Sequence, residues 1–155
     1  MDINSIISAL TSSDALSGIT GAAKVEAKDA KSVIENAVSP MIKGALGGAD
    51  LNKVKGLIEK YGGSFGDIVK KIDLKDGAKL LTELLGKNEA STVSEIAAAS
   101  GVEEGKTKNI LSACAPLVAN LLGTEMKDGD IGALAQSLLK NMSFTDLLGG
   151  LFGKK

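Results

Sequence analysis

The sequence predicts an all-α, multihelical fold: two tandem pseudo-symmetric five-helix repeats packed on one aliphatic core. Three observations lead there. First, 44% of residues are apolar but only 3% aromatic, so the core must come from Leu, Ile, Val, Ala and Met. Leu and Ala beside many Lys and Glu favour helices. Second, apolar residues recur at helical spacing, and no sustained alternation of period two marks a strand. Third, the chain repeats itself. Ser64 to Ile72 reads SFGDIVKKI, and Ser143 to Phe152 reads SFTDLLGGLF.

The repetition extends through the chain. The apolar series Ile34, Ala37, Val38, Met41, Ile42, Ala45, Leu46 returns about 76 positions later as Ile110, Ala113, Cys114, Leu117, Val118, Leu121, Leu122. Pro40 falls on Pro116 and Gly47 on Gly123. Val25-Glu26 matches Val102-Glu103 with a slip of one, and Thr20-Gly21 matches Ser100-Gly101. Ile6, Ile7 and Leu10 match Leu80, Leu81 and Leu84, while Leu51, Val54 and Ile58 match Ile131, Leu134 and Leu138. Six blocks in one order point to a tandem duplication within a single domain, 1–155, with copies over about 1–75 and 76–155. Each copy is small for a core of its own, so the two are expected to share one.

Each unit has five predicted helices. The first covers about 3–10 and 78–86, the second 13–20 and 91–100, and the third 26–46 and 103–122. The fourth covers 50–60 and 130–140, the fifth 64–72 and 143–151. Capping residues open them at Ser13-Asp14, Ser91-Thr92, Asp50, Asp130, Ser64 and Ser143. Glycines close them at Gly21, Gly47-Gly48, Gly62-Gly63, Gly86, Gly101 and Gly123. Pro40 and Pro116 lie inside the longest apolar patterns, where each removes a backbone hydrogen bond and is expected to bend its helix.

The charged residues argue by omission. All 18 basic residues are lysine, against 19 acidic residues, and the chain has neither arginine nor histidine. Arginine is the usual fork for phosphate and guanine, and histidine the usual proton shuttle and metal ligand. Cys114, the lone cysteine, falls on an apolar helix face, which suits a small core residue better than a nucleophile. Asp128 and Asp130 flank Gly129 without the further oxygens of a calcium loop, so they read as a turn and a cap. No catalytic constellation emerges, and no enzyme activity, cofactor or metal is expected. A single cysteine, no basic and apolar leader, and no apolar run near the roughly 20 residues of a membrane span lead to a cytoplasmic expectation.

Two segments stand out as sites. Residues 96–112, IAAASGVEEGKTKNILS, have a helix-turn-helix look, with Ala97 four residues before Gly101 and Ile110 beneath. Lys106, Lys108, Asn109 and Ser112 are its nucleic-acid candidates. Glu103 and Glu104 lead the same helix and would repel phosphates, so nucleic acid is a disfavoured partner. The final segment offers Phe144, Leu147, Leu148, Leu151 and Phe152 as an apolar interaction surface. It can dock on the core, a second subunit or a lipid surface.

The stretch 95–123, EIAAASGVEEGKTKNILSACAPLVANLLG, resembles the YidB-like bacterial family of unknown function. Ala115-Pro116-Leu117 in a long aliphatic helix and the tail DLLGGLFGKK at 146–155 agree, and Ser39-Pro40-Met41 is similar to the family's earlier helix–proline segment. The resemblance implies a small multihelical bacterial protein and transfers no catalytic or binding residue. The leading expectation is a non-enzymatic scaffold or protein-interaction module, self-associating or binding a protein partner. The alternatives are a carrier of an apolar, lipid-like small molecule between the repeats and a weak helix-turn-helix nucleic-acid binder.

Overall fold

The computed structural model describes residues 3–43, 56 and 59–125. Among them there is no strand. The helices are α1 (Ile3–Leu10), α2 (Ser13–Ala23), α3 (Ala27–Lys43), α4 (Phe65–Lys70), α5 (Leu74–Leu85), α6 (Glu89–Ser100) and α7 (Glu104–Glu125). A 3-10 turn, Gly86–Asn88, joins α5 to α6. The all-α expectation holds. Ten helices in two symmetric sets of five are not what these residues display. Most of 50–60, and all of 130–140 and 143–151, lie outside the described residues, so α4 has no described counterpart.

Helix ends follow local chemistry, not always at the expected residue. Gly21 does not end α2, which runs on to Ala23 and stops at Lys24 in the left-handed conformation, φ 59°. The Lys24 and Val25 N–H groups both donate to the Thr20 carbonyl, at 2.8 and 3.3 Å, and this closes the helix. Gly123 does not end α7 either, which continues to Glu125. Ser91 lies inside α6 and donates to the Asn88 carbonyl at 3.2 Å instead of capping. The side-chain cap absent from the sequence reading is Asp73. Its carboxylate accepts from the N–H groups of Lys75 (2.8 Å) and Asp76 (3.4 Å), so α5 starts four residues before the expected position.

The core is aliphatic and α7 is its axis. Every residue from Ile110 to Leu121 is buried, so this stretch has no solvent face. It packs mainly on α5 and also meets α1, α2, α3, α4 and α6. A helix apolar all round belongs inside a bundle. Around it lie Ile6 and Leu10 of α1, Ile19 of α2, Val33, Ile34 and Met41 of α3, and Leu80 and Leu81 of α5. Fully burying one such side chain is worth about 1.5–3 kcal/mol.

Pro116 shapes the tightest contact in the bundle. Lacking an N–H, it leaves the Ser112 carbonyl without its donor four residues on. Gly77 of α5 presses its backbone against that same carbonyl. A methyl added at Gly77 would fall on the Ser112 oxygen and come 2.7 Å from its carbon. A glycine Cα–H meeting a carbonyl at a helix crossing is weakly attractive and lets two axes close up.

Candidate functional site

The α6–turn–α7 unit is built like the α2–turn–α3 unit. Gly101 ends α6 in the left-handed conformation, φ 71°. The Gly101 and Val102 N–H groups donate to the Ala97 carbonyl at 2.9 and 3.2 Å, as Lys24 and Val25 do to Thr20. Thr107 then donates to the Glu103 carbonyl at 2.8 Å, as Ala30 does to Glu26 at 3.0 Å. These pairs stand 77 positions apart throughout. This register corrects the sequence alignment of Gly21 with Gly101 and shifts by one residue the alignment of Ile34, Val38 and Pro40 with Ile110, Cys114 and Pro116. It matches Ala30, Val33, Ile34, Ala37, Val38 and Met41 with Thr107, Ile110, Leu111, Cys114, Ala115 and Val118, all buried.

That geometry redistributes the helix-turn-helix candidates. Ser112 is not on an exposed face; it is 3% accessible, beneath the Gly77 crossing. Lys108 sits 3.8 Å from Glu89, whose other oxygen accepts from the Thr82 hydroxyl at 2.7 Å. Glu89 thereby stitches α5, α6 and α7 together. Ser94 donates to Glu104 at 3.4 Å across the turn. Lys106 and Asn109 are exposed, and so are Glu103 and Glu104. The surface of α7's first turns thus mixes carboxylates with lysines, and one lysine is already in an ion pair. Phosphate recognition needs a positive excess there.

Cys114 is wholly buried, and burial pushes its thiol up to about 12. A neutral thiol in an aliphatic helix is no nucleophile. Among the described residues no group of three or more His, Cys, Asp or Glu side chains is placed to hold a metal ion. Asp128 and Asp130 lie outside them. No described helix is long and apolar enough to cross a membrane.

The seat of α4 carries the most specific chemistry. Asn120, 1% accessible on α7, donates through Nδ2 to the carbonyls of Tyr61 (2.8 Å) and Gly63 (3.0 Å). This clamp fixes the segment that enters α4. Burial, helped by Asp76 and Asp73, raises the Tyr61 phenol above its ordinary value. The other wall of the seat is α2 at Gly18. A Cβ there would come 2.7 Å from Val69 Cγ1, 3.2 Å from the Val69 carbonyl and 3.4 Å from Ile72 Cδ1. Phe65, Ile68 and Val69 of α4, and Ile72 just after it, are only half-buried, and α4 has no fully buried residue. Asn120 was legible as the one polar residue in Ala115 to Leu122, though not its partners. Gly18 and Gly77 had no sequence signal setting them apart from other glycines. Phe144, Leu147, Leu148, Leu151 and Phe152, the expected interaction surface, lie outside the described residues.

A family model described as a bacterial protein of unknown function, DUF937, matches residues 2–125. The chain belongs to this family, the YidB-like family. The match ends with the last residue of α7. It takes in the Ala115-Pro116-Leu117 segment and leaves the glycine–leucine tail at 146–155 outside. No curated protein and no solved structure matches the chain.

Proposed function

We propose that this DUF937 protein is a non-enzymatic interaction module. It is built from two copies of one helical unit, and residues 143–152 present Phe144, Leu147, Leu148, Leu151 and Phe152 to a protein partner. The observation carrying this reading is a difference between the two units. In the first, α4 rests on α2 because position 18 is glycine. In the register of the matched turns, the α6 position equivalent to Gly18 is Glu95, which is exposed. A glutamate carries the Cβ that Gly18 lacks, and a Cβ at Gly18 would come 2.7 Å from Val69, so the described part of the second unit does not repeat the glycine cradle for its SFTDLL segment. A segment with five large apolar residues and no glycine cradle matched to it is suited to another surface.

Two further observations support it. The family match stops at Glu125, so residues 143–152 are an addition to the matched bundle. The absence of histidine and arginine, with the only thiol buried and neutral, favours binding over catalysis. The lone cysteine also fits a reducing cytoplasm.

Comparing the full chain with one ending at Thr145 tests the reading. Sedimentation equilibrium would report self-association, and affinity capture with each chain would report protein partners. The shortened chain should keep its helical thermal transition and lose the association. Loss of the transition would mean that the tail is core, and association unchanged by truncation would place the surface elsewhere.

A further inference from the structure

The sequence that lies in the α4 seat occurs twice in this chain. Aligned on Ser64 and Ser143, Phe65 corresponds to Phe144, Asp67 to Asp146, Ile68 to Leu147, Val69 to Leu148 and Ile72 to Leu151. The two side chains that lie against Gly18, Val69 of α4 and Ile72 just after it, thus have the apolar counterparts Leu148 and Leu151. Lys70 and Lys71, both exposed, become Gly149 and Gly150, so no apolar contact of α4 is lost in the second version. The seat itself is selective. It takes a bulky aliphatic residue where α2 offers Gly18, and it takes a chain entry whose carbonyls Asn120 can reach.

We infer that residues 143–152 are a second occupant of the α4 seat in the same chain, alternating with α4 between α2 and α7. This rests on the interaction-module reading and adds its regulation. When the tail occupies the seat, its leucines are covered and unavailable to a partner. When α4 occupies it, the tail is presented. Two features of the seat make exchange feasible. The resident helix has only six residues and none is fully buried, so little apolar contact is lost when it leaves. Of the 17 residues between Glu125 and Ser143, the 11 expected as a helix span about 16 Å and the other six about 20 Å, together about 36 Å, enough to return along a 22-residue helix of about 33 Å. The partner that draws the tail out must compete with this contact, so its apparent affinity is reduced by the fraction of tail held in the seat.

Cross-linking of the full-length chain tests this. Gly21 lies on α2 one turn beyond Gly18, is exposed, and has nothing within 4 Å of an added Cβ. A Gly21→Cys, Lys70→Cys chain reports α4 in the seat, and a Gly21→Cys, Gly149→Cys chain reports the tail, each through a short bis-maleimide. Cys114 is buried and gives no background. Both pairs should form intramolecular cross-links in dilute protein, read by mass spectrometry. Adding Phe65→Ser, which weakens α4 alone, should raise the Gly149 product several-fold at the expense of the Lys70 product. No Gly149 product with either Phe65 or Ser at position 65 overturns the inference. So does a product found only between chains, which would make the occupant a second copy. If truncation abolishes association but the Gly149 product is absent, the interaction module stands and only its regulation falls.

Discussion

The α2–α3 and α6–α7 units close their turns with the same hydrogen bonds, yet differ in what surrounds them. Helix α3 keeps Lys31, Glu35 and Asn36 in solvent, while α7 from Ile110 to Leu121 is buried on every side. One unit provides a wall and the other an axis. The turn is therefore a local device, set by three backbone bonds and one left-handed residue. Its surroundings are set by neighbours, above all by α5, which comes closer to α7 than a side chain would allow. At the position matched to Gly77 by Leu80, Leu81 and Leu84, α1 has Ile3 in place of glycine.

The strongest way to break this asymmetry is Gly77→Ala. The added methyl meets the Ser112 backbone rather than a movable side chain, so α5 must shift away from the axis of the bundle. Overpacking of a rigid contact costs roughly 1–3 kcal/mol, and a displaced helix loses burial at Leu80, Leu81 and Leu84 as well, so a loss of about 3 kcal/mol or more is expected. Urea denaturation checks it. A midpoint within experimental error of the wild type would mean that the crossing is not close.

Asn120→Leu tests the second feature that α7 has and α3 lacks, the position matched to Asn120 being Lys43. It keeps the branched shape and number of heavy atoms but removes the donor to the Tyr61 and Gly63 carbonyls. Stability should fall by about 1–3 kcal/mol, the loss of two hydrogen bonds to part-buried carbonyls at about 0.5–1.5 kcal/mol each. Amide exchange should quicken in Phe65 to Lys70 more than in α6. Uniform quickening would show that Asn120 supports the whole bundle and not the seat.

Cys114 and its match Ala37 sharpen the comparison at high pH. The Cys114 thiol titrates near 9 when unfolded and is pushed up to about 12 in the fold. Its contribution is complete below pH 9 and is lost as pH rises toward 12, because only the unfolded chain gives up the proton. One pH unit of that window is worth about 1.4 kcal/mol. Between pH 8 and 10 the wild type should lose about that much more stability than Cys114→Ala, which makes the α7 position like α3. Parallel pH profiles would mean that the thiol reaches water.

Much of this was legible in the sequence because helix identity depends on spacing and on end chemistry. The apolar series from Ile34 and from Ile110 placed both long helices, and Gly101 and Gly86 ended theirs as expected. The Gly21 stop failed because Lys24 adopts the left-handed conformation that glycine ordinarily takes. The contacts that build the α4 seat join residues far apart in sequence. Asn120 reaches back to Tyr61, and Gly18 is distinguished from exposed Gly21 only by Val69 standing over it. No periodicity records such pairs. Ser112 was misplaced for a related reason: an exposed face was assigned to a helix that has none at that level.

Lys24 makes the smallest change and the most direct one between the two turns. At φ 59° its Cβ crowds the following carbonyl, a cost of roughly 1–2 kcal/mol that glycine escapes. Glycine also has more freedom to lose on folding, about 0.5–1 kcal/mol, which offsets part of the gain. Lys24→Gly should therefore stabilise the chain by about 0.5–1 kcal/mol, seen as a rise of a few degrees in Tm. The reverse change, Gly101→Lys, should destabilise by a similar amount, since the two turns share their hydrogen bonds and the lysine is exposed in the first. Opposite and nearly equal shifts would make the turns energetically interchangeable. A larger penalty at Gly101 would show that the buried helix it leads into, unlike α3, tolerates no adjustment of its entry angle.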